Sequence, residues 1–244
     1  MSRYKAIVAY EGSLFKGWQT QVDGITVQDS IEQTLSRMEK KPVSIVGSGR
    51  TDRGVNALGQ VFHFDSELNI PIDRFPLAIN NQLVDGIHIK SIEKVDDSFH
   101  ARKDAKAKVY QYHIEMGDYQ LFERNHVYQL NKSLDVTMME KSAQVLIGTH
   151  DFTSFNTTPL EVINNQVRTI YSIQFKIVGS QLHIEFIGSG FLRYMIRMIV
   201  MTLINVGLHK LDENVIEEFL LAKEKGLVIY NAPPEGLTLM KVKY

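Results

Sequence analysis

The chain contains no cysteine. That excludes disulfides, thiolate zinc sites and a cysteine nucleophile, and nothing in the composition points to secretion. An excess of one charge is also missing: 27 Lys and Arg stand against 28 Asp and Glu, for a net charge of −1. Nucleic-acid binders usually carry a basic surplus, so an RNA partner would have to be met by local clusters and not by the net charge. Long apolar runs are lacking too. The longest, residues 191–207, carries Arg193 and Arg197 and is too short to span a bilayer comfortably. The stretch Met1-Ser2-Arg3-Tyr4-Lys5 has no apolar core of a signal peptide. The expectation is a soluble cytoplasmic protein with no membrane partner. Fixed-period repeats and low-complexity segments are absent as well.

What is present suits a folded enzyme. Apolar residues make up 44% and charged residues 23% of 244 positions, enough for one large domain or two ordinary ones with real cores. Basic residues gather at Arg50 and Arg53 and again at Arg102, Lys103, Lys106 and Lys108, whereas Glu213, Glu217, Glu218 and Glu224 collect near the end. Each basic group by itself reads as solvated surface. Only their convergence on one cleft would make an RNA track.

Periodicity gives the organisation. Residues 3–10, 60–65 and 87–95 alternate as strands do, 43–47 form a short strand entering a glycine-bearing loop, and 105–116 form a long strand. Thr26 with Asp29 resembles a capping box, and Val27, Ile31, Leu35 and Met38 follow at helical spacing. Pro71 predicts a helix to about 82, and Asp135 one to about 148. Residues 169–178 and 181–187 predict strands joined by a hairpin at Gly179-Ser180. An apolar helix over 191–206 ends at Gly207, and an acidic amphipathic helix covers about 212–225. The expected fold class is α+β, with two mixed halves, 1–103 and 104–244, whose sheets join into one extended sheet lining a central cleft.

The chemistry concentrates in residues 47–64, which pack glycine, arginine and aspartate between two strands. Glycines allow unusual backbone angles and close approach of a ligand, and strand-end loops often carry active sites. A carboxylate at Asp52 between Arg50 and Arg53 is held ionised by positive charge and suits a nucleophile or a base. The plain alternative is a turn aspartate bonded to its own backbone. No Gly-Lys-Ser/Thr closes the segment, so it is not a Walker phosphate loop. His63 reads as a strand residue; neither HExxH nor paired-histidine spacing supports a metal site.

The run Gly49-Arg50-Thr51-Asp52, continued by Gly54-Val55, Ala57, Gly59-Gln60-Val61 and His63-Phe64, resembles the signature of the TruA family of tRNA pseudouridine synthases. Further blocks follow in the family's order: Tyr10-Glu11-Gly12, Phe15, Gly17-Trp18-Gln19, Gln21 and Thr26-Val27-Gln28; Phe99-His100-Ala101-Arg102 ahead of Tyr110-Gln111-Tyr112; Asp151-Phe152-Thr153-Ser154-Phe155; and Phe191 with Met195-Ile196-Arg197. Two positions depart from it. Asn56 stands where the family usually has His, and Glu11 where it usually has Asp, which leaves open a specialised paralogue with another target uridine.

The resemblance implies an isomerase that breaks the C1′–N1 bond of uridine, turns the base and joins C1′ to C5, with no cofactor and no metal. It makes Asp52 the catalytic nucleophile, attacking C1′ or C6 or promoting elimination at the sugar. It places Tyr110 on the active-site tyrosine, where a ring can stack on uracil, and Arg197 on the arginine that pairs with the catalytic aspartate. Locally, Tyr110 also reads as a core-facing strand residue. Arg197 lies in an apolar helix, where a buried guanidinium needs a partner unless it snorkels to solvent. Arg50 suits a phosphate or the flipped nucleotide. The implied partners are tRNA, modified at positions 38–40 of the anticodon arm, and a second copy of the chain in a homodimer. Two rivals remain: a glycosidase or nucleoside hydrolase, for which no second carboxylate stands out near Asp52, and a catalytically silent RNA-binding module.

Overall fold

Thr26 opens the first helix as its spacing to Asp29 predicts. The computed structural model describes residues 1–22 and 24–244. In it the Thr26 hydroxyl accepts a hydrogen bond from the Asp29 amide at 3.2 Å and donates to the Asp29 carboxylate at 2.5 Å. Along the chain the elements are β1 (Ser2–Tyr10), α1 (Val27–Glu39), β2 (Val46–Gly47), β3 (Asn56–Ser66), α2 (Phe75–Asn80), β4 (Ile87–Val95), β5 (Ala107–Glu115), β6 (Tyr128–Gln129), α3 (Val136–Ala143), β7 (Gly148–Asp151), β8 (Val167–Val178), β9 (Gln181–Gly188), α4 (Met195–Gly207), α5 (Val215–Ala222) and β10 (Leu237–Lys243). They divide into two units, Met1–Lys106 with Thr238–Tyr244, and Ala107–Leu237. Each unit mixes a sheet with helices, the α+β class. The last strand returns to the first unit, a feature that a boundary near 103 does not anticipate.

In the first unit β1 lies between β4 and β3, antiparallel to both, and β10 runs parallel to β3. Residues 60–65 do not form the half-exposed strand that their alternation suggests. Val61, Phe62, His63 and Phe64 are all buried, because β3 is covered on both faces. Phe64 stacks on Tyr4 and meets Phe75 edge-on, with Ile31 and Leu35 of α1 also buried. Burial of side chains this size stabilises by about 1.5–3 kcal/mol each. Only Val46–Gly47 of the 43–47 run pairs in the sheet. The Val43 and Ile45 amides donate instead to Ser36 Oγ and Glu32 Oε1 on α1, both at 2.9 Å. Helix α2 starts later than Pro71 suggests. The Pro71 carbonyl accepts from the Arg74 and Phe75 amides, and it is Pro76 that sits in the helix's first turn, where its missing N–H costs nothing.

In the second unit β9 lies between β5 and β8, antiparallel to both, and β7 pairs with β8. The hairpin at Gly179 forms where expected, with Gly179 at φ 62°. Asp135 caps α3, its carboxylate accepting from the Met138 amide at 3.0 Å. Helix α4 packs against α3 and α5. Nearly its whole circumference is buried, Arg197 included. No helix among the described residues is long and apolar enough to cross a membrane.

Candidate active site

The loop between β2 and β3 is fixed from several sides within the first unit. Ser48 Oγ donates to Gln60 Oε1 at 2.7 Å, and Gln60 Nε2 donates to the Gly49 carbonyl at 3.0 Å. The buried Tyr10 and Thr51 hydroxyls share a hydrogen bond of 2.8 Å. Burial pushes the Tyr10 phenol far above its usual range, so it stays neutral. The Trp18 amide donates to the Thr51 carbonyl at 3.2 Å. Asp52 then closes a turn: its carbonyl accepts from the Val55 amide at 3.1 Å, with Gly54 at φ 82°.

Two glycines let the N-terminal segment lie directly on this loop. A Cβ on Gly12 would fall 2.3 Å from the Val55 carbonyl oxygen, and one on Gly17 would fall 2.8 Å from that of Thr51. Asp52, itself half-buried, is therefore carried on a backbone hydrogen-bonded at the Gly49, Thr51 and Asp52 carbonyls and packed against the N-terminal segment. Arg50 and Arg53 are exposed on the same loop. His63 is a structural residue: its Nδ1 accepts from the Ala101 amide at 3.1 Å, and burial lowers its pKa, keeping the ring neutral.

In the second unit, Tyr110 lies on β5 opposite Phe186 of β9. It is buried, and Phe191 meets its ring edge-on at 5.5 Å. Phe191 in turn occupies the space beside Gly188, where a Cβ would come within 2.9 Å of the ring. Arg197 is only 8% exposed, so it is no snorkelling surface residue. Its Nε–H donates to the Ala232 carbonyl at 2.7 Å, and the Ala232 amide donates back to the Arg197 carbonyl at 3.0 Å. Asp52 and Arg50 thus share one loop of the first unit, and Tyr110 and Arg197 belong to the second.

A family model described as tRNA pseudouridine synthase matches residues 6–103 and 142–244. The chain belongs to the tRNA pseudouridine synthase family. It is similar along its whole length to proteins named tRNA pseudouridine synthase A. The one from Exiguobacterium sp. strain AT1b is 44% identical over 244 residues, covering 100% of this chain and 98% of that protein. Those from Brevibacillus brevis and Bacillus subtilis are 40% and 41% identical, with 99–100% of each chain covered. Family membership makes the protein an isomerase.

Against that family, the residues of this chain separate into scaffold and exposed chemistry. Asn56, the departure from the usual His, is buried, and its Oδ1 accepts the Gly12 amide at 2.8 Å, tying the N-terminal segment to the loop. Glu11 accepts from Ser13 Oγ at 2.7 Å. The Asp151–Phe155 block is architectural: Asp151 caps Thr153, Ser154 Oγ accepts from the Glu224 amide, and Phe152 and Phe155 are fully buried. The Phe99–Arg102 block anchors the chain's end, with the Ala101 carbonyl accepting from Tyr244 Oη at 2.7 Å. Arg102, Lys103 and Lys106 around it are exposed. Among the described residues no group of His, Asp and Glu is arranged to hold a metal ion.

Sequence reasoning missed Ala232, Phe191's contact with Tyr110, and Tyr194. The first had a signal: a residue before Pro233 is biased toward extended backbone, which suits hydrogen bonding along a helix. Tyr194 had none. It sits at φ 63°, a region that side chains with a Cβ rarely adopt.

Proposed function

We propose that this protein converts uridine to pseudouridine in tRNA, at positions 38–40 of the anticodon arm, with Asp52 as the catalytic nucleophile. The observation that carries the reading is the rigid presentation of one carboxylate. Hydrogen bonds made by Tyr10, Gln60 and Asn56, those of Tyr10 and Asn56 fully buried, fix the chain on either side of Asp52. Preorganisation of this kind is what a step at a sterically demanding sugar carbon requires.

The reaction is balanced without a co-reactant. The C1′–N1 bond breaks and C1′–C5 forms, while the C5 proton leaves and N1 regains one. Attack of Asp52 at C1′, attack at C6, and carboxylate-promoted elimination at the sugar all use the same side chain. Tyr110 offers a ring to the freed base and Arg197 a buried guanidinium to an anionic partner. Arg50, exposed on the Asp52 loop, suits a phosphate of the RNA backbone. The uridine has to leave its stack to be reached. A cytoplasmic homodimer holding one tRNA across two subunits completes the proposal; light scattering at about 28 kDa would contradict it.

The test is to incubate purified protein with unmodified tRNA and map pseudouridine. Product at positions 38–40 with the parent and none with Asp52→Asn supports the reading. Pseudouridine elsewhere in the tRNA overturns the site assignment. Free uracil as the product would instead favour a hydrolase.

A further inference from the structure

Each of the six backbone amides from Phe99 to Asp104 donates a hydrogen bond. Phe99 donates to the Asp96 carbonyl and Asp104 to that of His100, both at 3.0 Å. His100 donates to the Asp104 carboxylate at 2.8 Å, and Ala101 to His63 Nδ1 at 3.1 Å. Arg102 and Lys103 both donate to Nδ1 of the His100 ring, at 3.2 and 3.3 Å. Tyr244, just past β10, bolts the turn from the other side. Its ring lies 5.2 Å from that of Phe99 and its hydroxyl donates to the Ala101 carbonyl at 2.7 Å. The Lys106 amide donates to the Lys243 carbonyl at 2.8 Å. The result is one stiff corner of the first unit built from two stretches of chain.

That corner carries four exposed cations: Arg102, Lys103, Lys106 and Lys243. Asp104 is the one carboxylate within the turn, and it holds the His100 amide. Among the described residues none of the four cations forms an ion pair. Like charges gathered on one stiff surface raise the local positive potential, and an anion among them lowers the free energy. The corner also adjoins the catalytic loop. The Tyr244 hydroxyl meets the side chain of Ser48, four residues before Asp52, and burial keeps that phenol neutral.

We propose that this corner is a second contact for the phosphate backbone of the RNA substrate, additional to Arg50. A row of fixed cations beside the Asp52 loop suits consecutive phosphates of a strand whose uridine has entered the site. Arg102 brings a planar fork to a phosphate and the three lysines bring point charges. Contacts to phosphates set register without reading bases, so the corner acts on binding and not on the chemical step.

The inference rests on the reading of the protein as a tRNA-modifying enzyme. Two corner variants, Arg102→Gln/Lys103→Gln and Lys106→Gln/Lys243→Gln, are compared with the parent and with Lys132→Gln/Lys210→Gln, which makes the same charge change on exposed lysines of the second unit. The readouts are tRNA affinity across a salt series, pseudouridine formation at saturating tRNA, and thermal melting. Each corner pair should weaken tRNA binding by about fivefold or more at low salt and reduce the slope of log affinity against log salt by about one to two. Its rate at saturating tRNA should stay within about threefold of the parent, because the contact is made before and after the chemical step alike. The Lys132/Lys210 pair should match the parent in slope. Melting should not shift, since the turn's hydrogen bonds involve none of the substituted side chains. A parental salt slope in both corner pairs overturns the proposal. So does an equal loss in the Lys132/Lys210 pair, which would mean that only net charge is felt, or a rate loss at saturating tRNA with affinity unchanged. A parent that forms no pseudouridine in tRNA would instead remove the underlying reading, and this one with it.

Discussion

In the first unit the segment that carries Asp52 is fixed through its backbone; in the second, the segment that carries Arg197 is fixed through its side chains. Around Asp52, amides and carbonyls of residues 49, 51, 52 and 55 are hydrogen-bonded, and glycines at 12 and 17 let neighbouring chain lie against them. Around Arg197 the helix is apolar and buried, the Nε–H donates to the Ala232 carbonyl, and the Tyr194 ring centre lies 5.1 Å from the guanidinium carbon. The difference follows from side-chain length. An aspartate has a short lever, so placing its Cα places the carboxylate. An arginine has four rotatable bonds, and fixing its Cα leaves the guanidinium free over several ångströms unless its far end is held as well. Damage should therefore spread from backbone contacts in the first segment and from tip contacts in the second.

The largest effect expected is at Asp52 itself. Asp52→Asn should lower single-turnover pseudouridine formation by at least about 10³-fold. Because the amide is isosteric and the loop is held by its backbone, melting temperature and tRNA affinity should barely move. A residual rate within tenfold of the parent, with deamidation excluded by mass spectrometry, would end the assignment of Asp52.

Next comes the glycine that lets the N-terminal segment reach the loop. Gly12→Ala would drive a methyl to 2.3 Å from the Val55 carbonyl oxygen, with backbone on both sides of the clash. It should cost about 3 kcal/mol of stability, the upper end of overpacking, and lower activity with it. Denaturant titration reads the first and single-turnover kinetics the second. A variant as stable as the parent would mean that the loop yields, and the backbone-fixed half of the comparison would fail.

A smaller effect is expected at Asn56. Asn56→Ala removes the acceptor of the buried Gly12 N–H, at about 1–3 kcal/mol. Asn56→His restores the residue usual in the family and should recover part of that loss if a ring nitrogen can take the same hydrogen bond. Equal stability of the alanine variant and the parent would show that the contact is dispensable.

Much of this was legible in the sequence, for physical reasons that differ by element. Thr26 with Asp29 and Asp135 with Met138 follow local capping rules, so the start of α1 and the cap of α3 were readable. The Gly179 hairpin was readable for the same reason. The double burial of β3 was not, because His63 and Gln60 look like solvent-facing residues until Ala101 and the 48–49 loop turn out to be their partners. Helix α4 starts four residues later than the apolar run from 191 suggests, because nothing in the chemistry of Tyr194 announces a positive φ. Pairing of β10 with β3 joins residues far apart in sequence, which no local pattern encodes. At the site, the residue types of the Asp52 loop were readable, and its supports Tyr10, Gly12 and Gln60 sat inside the same motifs. Their roles came only from the contacts.

The smallest effect concerns the second unit's sheet, away from either segment. His113 on β5 and His183 on β9 are register partners whose rings stack at 4.1 Å. Burial, reinforced by His183, pushes His113 down to about 4; burial also lowers His183, with Lys176 adding to the shift and Glu123 opposing it. Gln111 Oε1 and Gln181 Oε1 lie 3.2 and 3.1 Å from the respective Nε2 atoms. Both folded pKa values lie below the unfolded value near 6.5, so the unfolded chain binds more protons in acid. The stability contributed by the neutral pair is complete above about pH 6.5 and is lost as pH falls toward 4. Both rings keep some contact with solvent, so the loss between pH 7 and 5 should be on the order of 1–2 kcal/mol after screening. His113→Gln cannot take up that proton and should flatten the decline between pH 7 and 5, as read by urea midpoints at each pH. If parent and variant lose stability in parallel over that range, the titration responsible lies elsewhere in the chain.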